Sequence, residues 1–340
     1  MKDLYGREID YFRISVTDRC NLRCRYCVSQ DEECGSGRDI LSDEEILLIC
    51  GAAAGIGIKN VRITGGEPLI RAGIPELIRK IGNIRGIERV SLTTNGILLE
   101  DYVEELTAAG LYGVNVSLDT LDDEKFREIS GVDKSSFPER MIRVPEKIIR
   151  GIDATLAADL KVKINVVLTD INKDDWTGLA ELARNRSIYV RFIELMPIGK
   201  GREISGVSNI ELLKLMEQKY GKMDKFQGKA RAGTVNENIG SGPAVYYQIP
   251  GFEGCIGFIS AIHGKFCDSC NRIRLTSSGI LKPCLCYDSS IDLHGMYMNK
   301  AGKNELENAL KSAIMEKPKA HCFEDPDMIT ERRNMIGIGG

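Results

Sequence analysis

The 340-residue sequence holds eleven cysteines, and six of them fall into two spaced triplets. Cys20-Asn-Leu-Arg-Cys24-Arg-Tyr-Cys27 places three thiols within one short loop, with Cys34 trailing. Cys267-Asp-Ser-Cys270 is followed, after thirteen intervening residues, by Cys284, with Cys286 beyond it and Cys255 ahead. Thiolates are soft ligands suited to zinc or iron–sulfur. Crowded thiols in a reducing compartment hold metal more often than disulfides. A structural zinc site uses four protein ligands, whereas a cubane cluster held by three cysteines keeps one iron open for an exogenous ligand. Two alternatives stand beside the cluster reading: a zinc knuckle completed by Cys34, and a zinc ribbon completed by Cys286 or Cys255. Cys50 and Cys322 stand apart; Cys50, inside a helical stretch, reads as a small core residue.

The positions that carry chemistry follow short β-rich runs that alternate with helical ones. Strands are expected at Tyr11–Val16, Asn60–Thr64, Val90–Thr94, Gly113–Leu118, Val162–Leu168 and Tyr189–Glu194. Helices are expected between them, for example Ser42–Ala54, opened by a Ser42/Glu45 capping pair, and Asp101–Ala109, stopped at Gly110. Parallel neighbours need crossover connections, so six β/α units imply a parallel sheet. Six are too few for a closed eight-stranded barrel. The expected fold is α/β, a partial (β/α)6 TIM-like barrel over 1–199, with a smaller C-terminal α+β region over 200–340 that carries the second thiol triplet. In that region a helix is expected at Asn209–Tyr220, a Gly-rich loop at Gly228–Gly242, and short antiparallel strands at Ala244–Ile249, Ile256–Ser260 and Ile273–Thr276.

Strand alternation divides each barrel strand into an apolar and a polar face. Phe12, Ile14 and Val16 oppose Arg13, Ser15 and Thr17; Val61 and Ile63 oppose Arg62 and Thr64; Val162, Ile164 and Val166 oppose Lys163 and Asn165. The apolar set meets the outer helices, which leaves Arg13, Arg62 and Lys163 facing inward. Cations in a lumen are costly unless a ligand pairs with them, and a triphosphate suits their charge. Arg191 lies at a strand edge where alternation does not fix its facing. The Gly65-Gly66-Glu67-Pro68 turn follows the second strand, Asp119 the fourth, and Met196 the sixth. Barrel enzymes keep their chemistry at such strand ends.

The Cys20/Cys24/Cys27 spacing, with Tyr26 between the last two, together with Gly-Gly-Glu-Pro, resembles the radical S-adenosylmethionine superfamily. The run Phe266-Cys-Asp-Ser-Cys-Asn-Arg-Ile-Arg-Leu, the distant Cys284, Asn115-Val-Ser-Leu-Asp, Lys163-Ile-Asn-Val-Val, Phe192-Ile-Glu-Leu-Met and the Gly339-Gly340 ending are similar to the GTP 3′,8-cyclase family of molybdenum cofactor biosynthesis. The resemblance spans nearly the whole chain. It implies two 4Fe–4S clusters, on Cys20, Cys24, Cys27 and on Cys267, Cys270, Cys284, with Cys284 chosen over Cys286 by spacing. It implies S-adenosylmethionine bound near Tyr26, Gly66, Glu67, Ser117 and Met196. GTP would lie against Arg13, Arg62, Thr93, Lys163, Arg191, Arg272, Ile273 and Arg274. A 5′-deoxyadenosyl radical would take hydrogen from ribose C3′, and the carbon radical would attack guanine C8. The paired glycines at the end would enter the active site and support the radical step. Implied partners are a reductant of flavodoxin or ferredoxin type and a downstream cyclic pyranopterin synthase.

The formal net charge of −3 gives no global basic field for nucleic acid. No run of eighteen apolar residues suggests a membrane span, and the first residues lack a signal-type apolar core, so a cytoplasmic enzyme is expected. The remaining alternatives are an electron-transfer protein, a zinc-stabilised binding module and a radical peptide-modifying enzyme. His263 reads as a loop histidine, Trp176 as packing, and Asn304–Lys319 as a solvated helix face. The stretch Phe137–Ile149 is longer than in similar chains. Asp159 stands where a helix-ending glycine would be natural.

Overall fold

The computed structural model describes residues 1–28, 40–132, 143–226 and 242–339. Cys34, Gly340, nearly all of the 228–242 loop and the start of the 137–149 stretch lie outside them.

Six strands follow the chain in order: β1 (Tyr11–Ser15), β2 (Asn60–Thr64), β3 (Arg89–Thr94), β4 (Gly113–Ser117), β5 (Lys161–Leu168) and β6 (Tyr189–Glu194). Helices separate them: α1 (Asp43–Gly55), α2 (Ile74–Gly82), α3 (Leu99–Ala108), α4 (Asp123–Ser130), α5 (Val144–Ala157) and α6 (Trp176–Glu181). All six strands pair in parallel with their sequence neighbours. The expected capping box forms at α1: Ser42 Oγ accepts from Glu45 N–H, and Glu45 accepts from the Ser42 N–H. Apolar side chains of the strands' outer faces (Phe12, Ile14, Ile63, Leu92, Val116, Ile164 and Phe192) are fully buried against the helices. Cys50 and Trp176 belong to that core.

Beyond β6 the chain adds α7 (Asn209–Tyr220), β7 (Asp224–Lys225), β8 (Val245–Gln248), β9 (Cys255–Ile259), β10 (Arg272–Leu275), β11 (Ile280–Lys282), β12 (Ile291–Asp292), α8 (Leu293–Met298) and α9 (Lys303–Met315). The short strands expected here are present, but they are only half antiparallel. β9 runs parallel to β6 and antiparallel to β8; β10 runs parallel to β1 and antiparallel to β11. The long connection from β6 to β9 returns the chain to the same end of the sheet, as a parallel partner requires. The result is a twelve-stranded sheet in the order β12-β11-β10-β1-β2-β3-β4-β5-β6-β9-β8-β7. It is a partial barrel: no ladder among the described residues joins β12 to β7.

Parallel register sets the inward row. Arg13 is level with Arg62 on one side and Arg274 on the other. Asn115 is level with Lys163, and Asn165 with Arg191. Opposite Arg191 stands Gly257, where a Cβ would fall 2.8 Å from the Tyr246 ring and 3.1 Å from the Arg191 side chain. A bare backbone there leaves room for the guanidinium.

Asp159 has the backbone of a helix-ending glycine, with φ of +59°. Its N–H bonds the Leu156 carbonyl, and the Leu160 N–H reaches back to Thr155. A left-handed conformation costs an L-residue roughly 1–2 kcal/mol, less for Asp, and nothing comparable for Gly. Asp159→Gly is expected to raise stability by about 0.5–1 kcal/mol, measured by denaturant titration, with no change in ligand binding.

Candidate active site

The N-terminal thiols sit in a loop at the C-terminal end of β1. Within it the Cys27 N–H bonds the Cys24 carbonyl at 2.8 Å, and the Val28 N–H bonds the same oxygen at 3.2 Å. Two further N–H groups, of Arg23 and Arg25, donate to the carbonyls of Ser130 and Ile129 at the end of α4. On the barrel side, Tyr26 donates its hydroxyl proton to Asp119 Oδ2 at 2.6 Å, while Asp119 Oδ1 accepts from Val167 N–H at 2.7 Å. Burial raises the Asp119 carboxyl to about 6. The Cys24 thiol is pushed well up, by burial first and then by Cys27, Asp119 and Cys20 close by. A coordinated metal reverses that preference, because a ligating thiol is deprotonated.

The Gly65–Pro68 turn lies along this loop. The Gly66 N–H bonds the Thr17 carbonyl at 2.7 Å, and the Glu67 N–H bonds that of Arg19 at 2.8 Å. A Cβ on Gly66 would fall 2.1 Å from the Arg19 carbonyl oxygen, so only glycine allows this approach. Glu67 differs from the expectation of a ligand-facing acceptor. It is 1% exposed, and its carboxylate takes Thr94 Oγ1 at 2.7 Å, Asn95 N–H at 2.7 Å and Leu69 N–H at 3.0 Å. It staples the turn to the end of β3, and burial raises it to about 7. Ser117 ends β4, half-buried.

The C-terminal thiols lie at the opposite end of the barrel strands. Arg272 is level with Tyr11, the first residue of β1, and Cys270 precedes it by two residues. Lys282 is level with Arg274, which carries the chain through Pro283 to Cys284 back beside that same end. Cys267, Cys270 and Cys284 all line one cavity in the lumen. Cys286 does not. It is fully buried, with its sulfur 3.3 Å from that of Cys322 in a small separate core. Between the two rival positions, Cys284 is therefore the one that faces the cavity. Cys270 is held at about 7: burial raises it, and the charges of Lys317 and Arg272 outweigh burial.

The cavity also takes in Arg13, Arg62 and Lys163, which alternation turned inward, and Thr93, Arg191, Arg272, Arg274 and Met196, which the family resemblance implied. Ile273 is not among them; its side chain is fully buried in the main core, on the other face of β10. Reasoning from sequence missed Tyr11, Arg89, Lys161, Lys317 and His321, all of which line the cavity. Tyr11, Arg89 and Lys161 lie two residues before Arg13, Ser91 and Lys163, so the same alternation carried a signal for them. Lys317 and His321 follow α9 with no periodic cue; the stretch read as a solvated face places Lys317 at 3% exposure.

Six arginines (13, 62, 89, 191, 272, 274) and three lysines (161, 163, 317) line this space, and no Asp or Glu among the described residues does. Burial and mutual repulsion follow. Arg274 falls to about 10, by burial and then by Arg272. Lys163 falls well below its ordinary value, by burial and then by Arg191 and Arg62. For the Tyr11 hydroxyl burial raises the value, but Arg62, Arg13 and Arg272 outweigh it and the net direction is down. Arg62 Nη1, Thr93 Oγ1, Asn165 Oδ1, Arg191 Nε and Arg272 Nε are buried without a hydrogen-bond partner among the described residues. Such groups are costly to leave unmet; an anion would meet the guanidiniums, and a ligand donor the Asn165 oxygen.

The C-terminal segment crosses to this lumen. Buried Glu331 pairs with buried Lys282 and with Arg333 Nε at 2.9 Å; burial raises its carboxyl, but these partners together outweigh burial and hold it down at about 2. Ile338 is fully buried in the small core. Gly339 then lies at the ends of β1 and β2, its carbonyl 3.4 Å from both Thr64 Oγ1 and Arg274 Nη1. His263, by contrast, binds Glu194 at 3.0 Å and is half exposed, as a loop histidine.

Comparison with known proteins agrees with this arrangement. Residues 14–183 match the Radical SAM superfamily, and residues 188–323 match Molybdenum Cofactor Synthesis C. The crystal structure of Streptococcus suis SuiB bound to S-adenosylmethionine superposes with a TM-score of 0.57 over 97% of this chain and 78% of that one, at 14% identity, which speaks to the fold alone. Fold and superfamily match define a radical S-adenosylmethionine enzyme. GTP 3′,8-cyclase of Clostridium perfringens is 45% identical over 342 residues, covering 100% of both chains, and that of Alkaliphilus oremlandii is 42% identical over 347 residues with the same coverage. The chain belongs to the GTP 3′,8-cyclase family.

Membership implies S-adenosylmethionine and a 4Fe–4S cluster, and the residues present fit them. Three thiols share one loop, and a glycine turn is pressed against its backbone. Among the described residues no set of His, Cys, Asp or Glu converges closely enough to hold a single metal ion; in a cubane each thiolate binds its own iron, so convergence on one point is not needed. Gly66→Ala is expected to displace the cysteine loop and to cut iron retained in the N-terminal site after anaerobic reconstitution by more than half. Iron and sulfide analysis in a variant lacking Cys267, Cys270 and Cys284 measures it.

Proposed function

We propose that the protein converts GTP to 3′,8-cyclo-7,8-dihydro-GTP, the first step of molybdopterin formation, using two 4Fe–4S clusters. The observation that carries this reading is the lumen: nine cations without a carboxylate among the described residues, with three thiols at one end and the Cys20–Cys27 loop beyond the other. When bound, S-adenosylmethionine and the N-terminal cluster supply a one-electron cleavage that yields a 5′-deoxyadenosyl radical able to take hydrogen from ribose C3′.

The chain's own residues bind and orient. Arg13, Arg62, Lys163 and Arg191 pair with the triphosphate, and planar guanidiniums do so in bidentate fashion. The unpartnered Thr93 hydroxyl and Asn165 oxygen supply neutral hydrogen bonds within the same row. Cys267, Cys270 and Cys284 leave one position of the second cluster for guanine, with Arg272 and Arg274 beside it. Tyr26, Gly66, Ser117 and Met196 surround S-adenosylmethionine at the strand ends. Gly339 lies beside Arg274 and Thr64, where the tail would exclude water from a reactive centre. A division at 199/200 separates the barrel from the region that brings the second cluster. We place the enzyme in the cytoplasm, fed by a flavodoxin- or ferredoxin-type reductant, with a cyclic pyranopterin synthase consuming its product.

Anaerobically reconstituted protein, given S-adenosylmethionine, dithionite and GTP, tests the proposal. Expected are 5′-deoxyadenosine, methionine and a cyclised isomer of GTP, separable from GTP by chromatography with mass detection. Formation of 5′-deoxyadenosine with GTP left unchanged would overturn it. Lys163→Ala or Arg62→Ala is expected to weaken GTP binding by about 1.5–3 kcal/mol, the worth of a hydrogen bond to a charged group, with iron content unchanged. Calorimetric titration reads this directly. Deletion of Gly339 and Gly340 is expected to abolish cyclised product while GTP binding stays within about threefold.

A further inference from the structure

Lys317 is a buried cation whose hydrogen bonds go to the segments that carry the C-terminal thiols. It lies two residues beyond the end of α9 and is 3% exposed. Its Nζ donates to the carbonyl of Arg272 at 2.9 Å and to that of Pro283 at 2.7 Å. It lines the same cavity as Cys267, Cys270 and Cys284, and its charge acts on the Cys270 thiol. Arg272 follows Cys270 by two residues, and Pro283 directly precedes Cys284. One ammonium thus ties β10 to the turn after β11 within the cavity that the three thiols line. Its own segment is fixed from behind: Arg7 donates to the carbonyls of Pro318 at 2.7 Å, Lys319 at 3.0 Å and Cys267 at 3.0 Å, and pairs with buried Asp3 at 2.6 Å.

Hydrogen bonds to ligand sulfurs, and charges near them, set the potential of an iron–sulfur cluster. Reduction adds one negative charge. A buried ammonium at the sulfur stabilises that charge more than water would, because the surroundings screen it weakly. We propose that Lys317 is a positioning residue of the second cluster, which holds Cys270 and Cys284 at their spacing and raises the cluster's reduction potential through the Cys270 sulfur. This rests on the two-cluster reading above.

The test uses the full chain with Cys20, Cys24 and Cys27 replaced by Ala, so that only the second cluster is observed. In protein labelled with 15N-lysine, pulsed electron paramagnetic resonance of the reduced cluster is expected to show a weak 15N coupling. Lys317→Arg keeps the cation and the cluster but loses that coupling. Lys317→Met is expected to shift the ratio of oxidised to reduced cluster at fixed poise at least about tenfold toward oxidised, which is about 59 mV for one electron. No 15N coupling in the labelled protein would overturn the inference, whether or not Lys317→Met assembles a cluster. An unchanged potential in a cluster-replete Lys317→Met protein would do the same. Absence of any cluster in this background, with a single cluster in the wild-type chain, would instead sink the two-cluster reading.

Discussion

Concentrated positive charge inside the barrel is the constraint on which the rest of the structure depends. Arg13, Arg62 and Arg274 are level on adjacent strands, with Lys163 and Arg191 further round the same wall. Like charges at strand spacing repel, and burial adds a desolvation cost to each. The strands endure this because their other faces are packed into the apolar core, which offsets the penalty without relieving it. A bound anion would relieve it. A lumen built in this way is a binding site first, and its chemistry depends on what stands at its two ends.

Those ends carry the two thiol sets. The Cys20–Cys27 loop leaves the C-terminal end of β1, and Cys267, Cys270 and Cys284 gather around its N-terminal end. The five residues of β1 span about 15 Å at the usual rise per residue, a length that suits a nucleoside triphosphate lying between them. Each set is held mainly through hydrogen bonds to its backbone, with Cys20 and Cys267 also accepting from the Leu22 and His321 N–H groups. α4 and the glycine turn hold the first; Arg7 and Lys317 hold the second. The tail reaches the first of these ends, where the Gly339 carbonyl lies 3.4 Å from both Thr64 Oγ1 and Arg274 Nη1.

Much of this could be read from the sequence, for definite physical reasons. Period-two alternation assigned Arg13, Arg62 and Lys163 to the interior because parallel strands under helices have one apolar face. The same rule, carried two residues further back, reaches Tyr11, Arg89 and Lys161. Thiol spacing identified both triplets and chose Cys284 over Cys286, and of the two only Cys284 lines the lumen. Glu67 shows the limit of motif reading: a carboxylate in a ligand-binding turn is occupied by Thr94, Asn95 and Leu69. Lys317 was out of reach, because its partners are carbonyls 34 and 45 residues away and nothing local marks its burial.

The central claim is that this cavity is built around phosphate charge, and one measurement tests it most directly. Titration of the cluster-replete protein with GTP and with GMP, at low and at moderate salt, compares the same base and ribose with and without the outer phosphates. The account predicts binding at least about tenfold tighter for GTP, with the gap narrowing as salt rises. Equal affinities at both salt concentrations would contradict it.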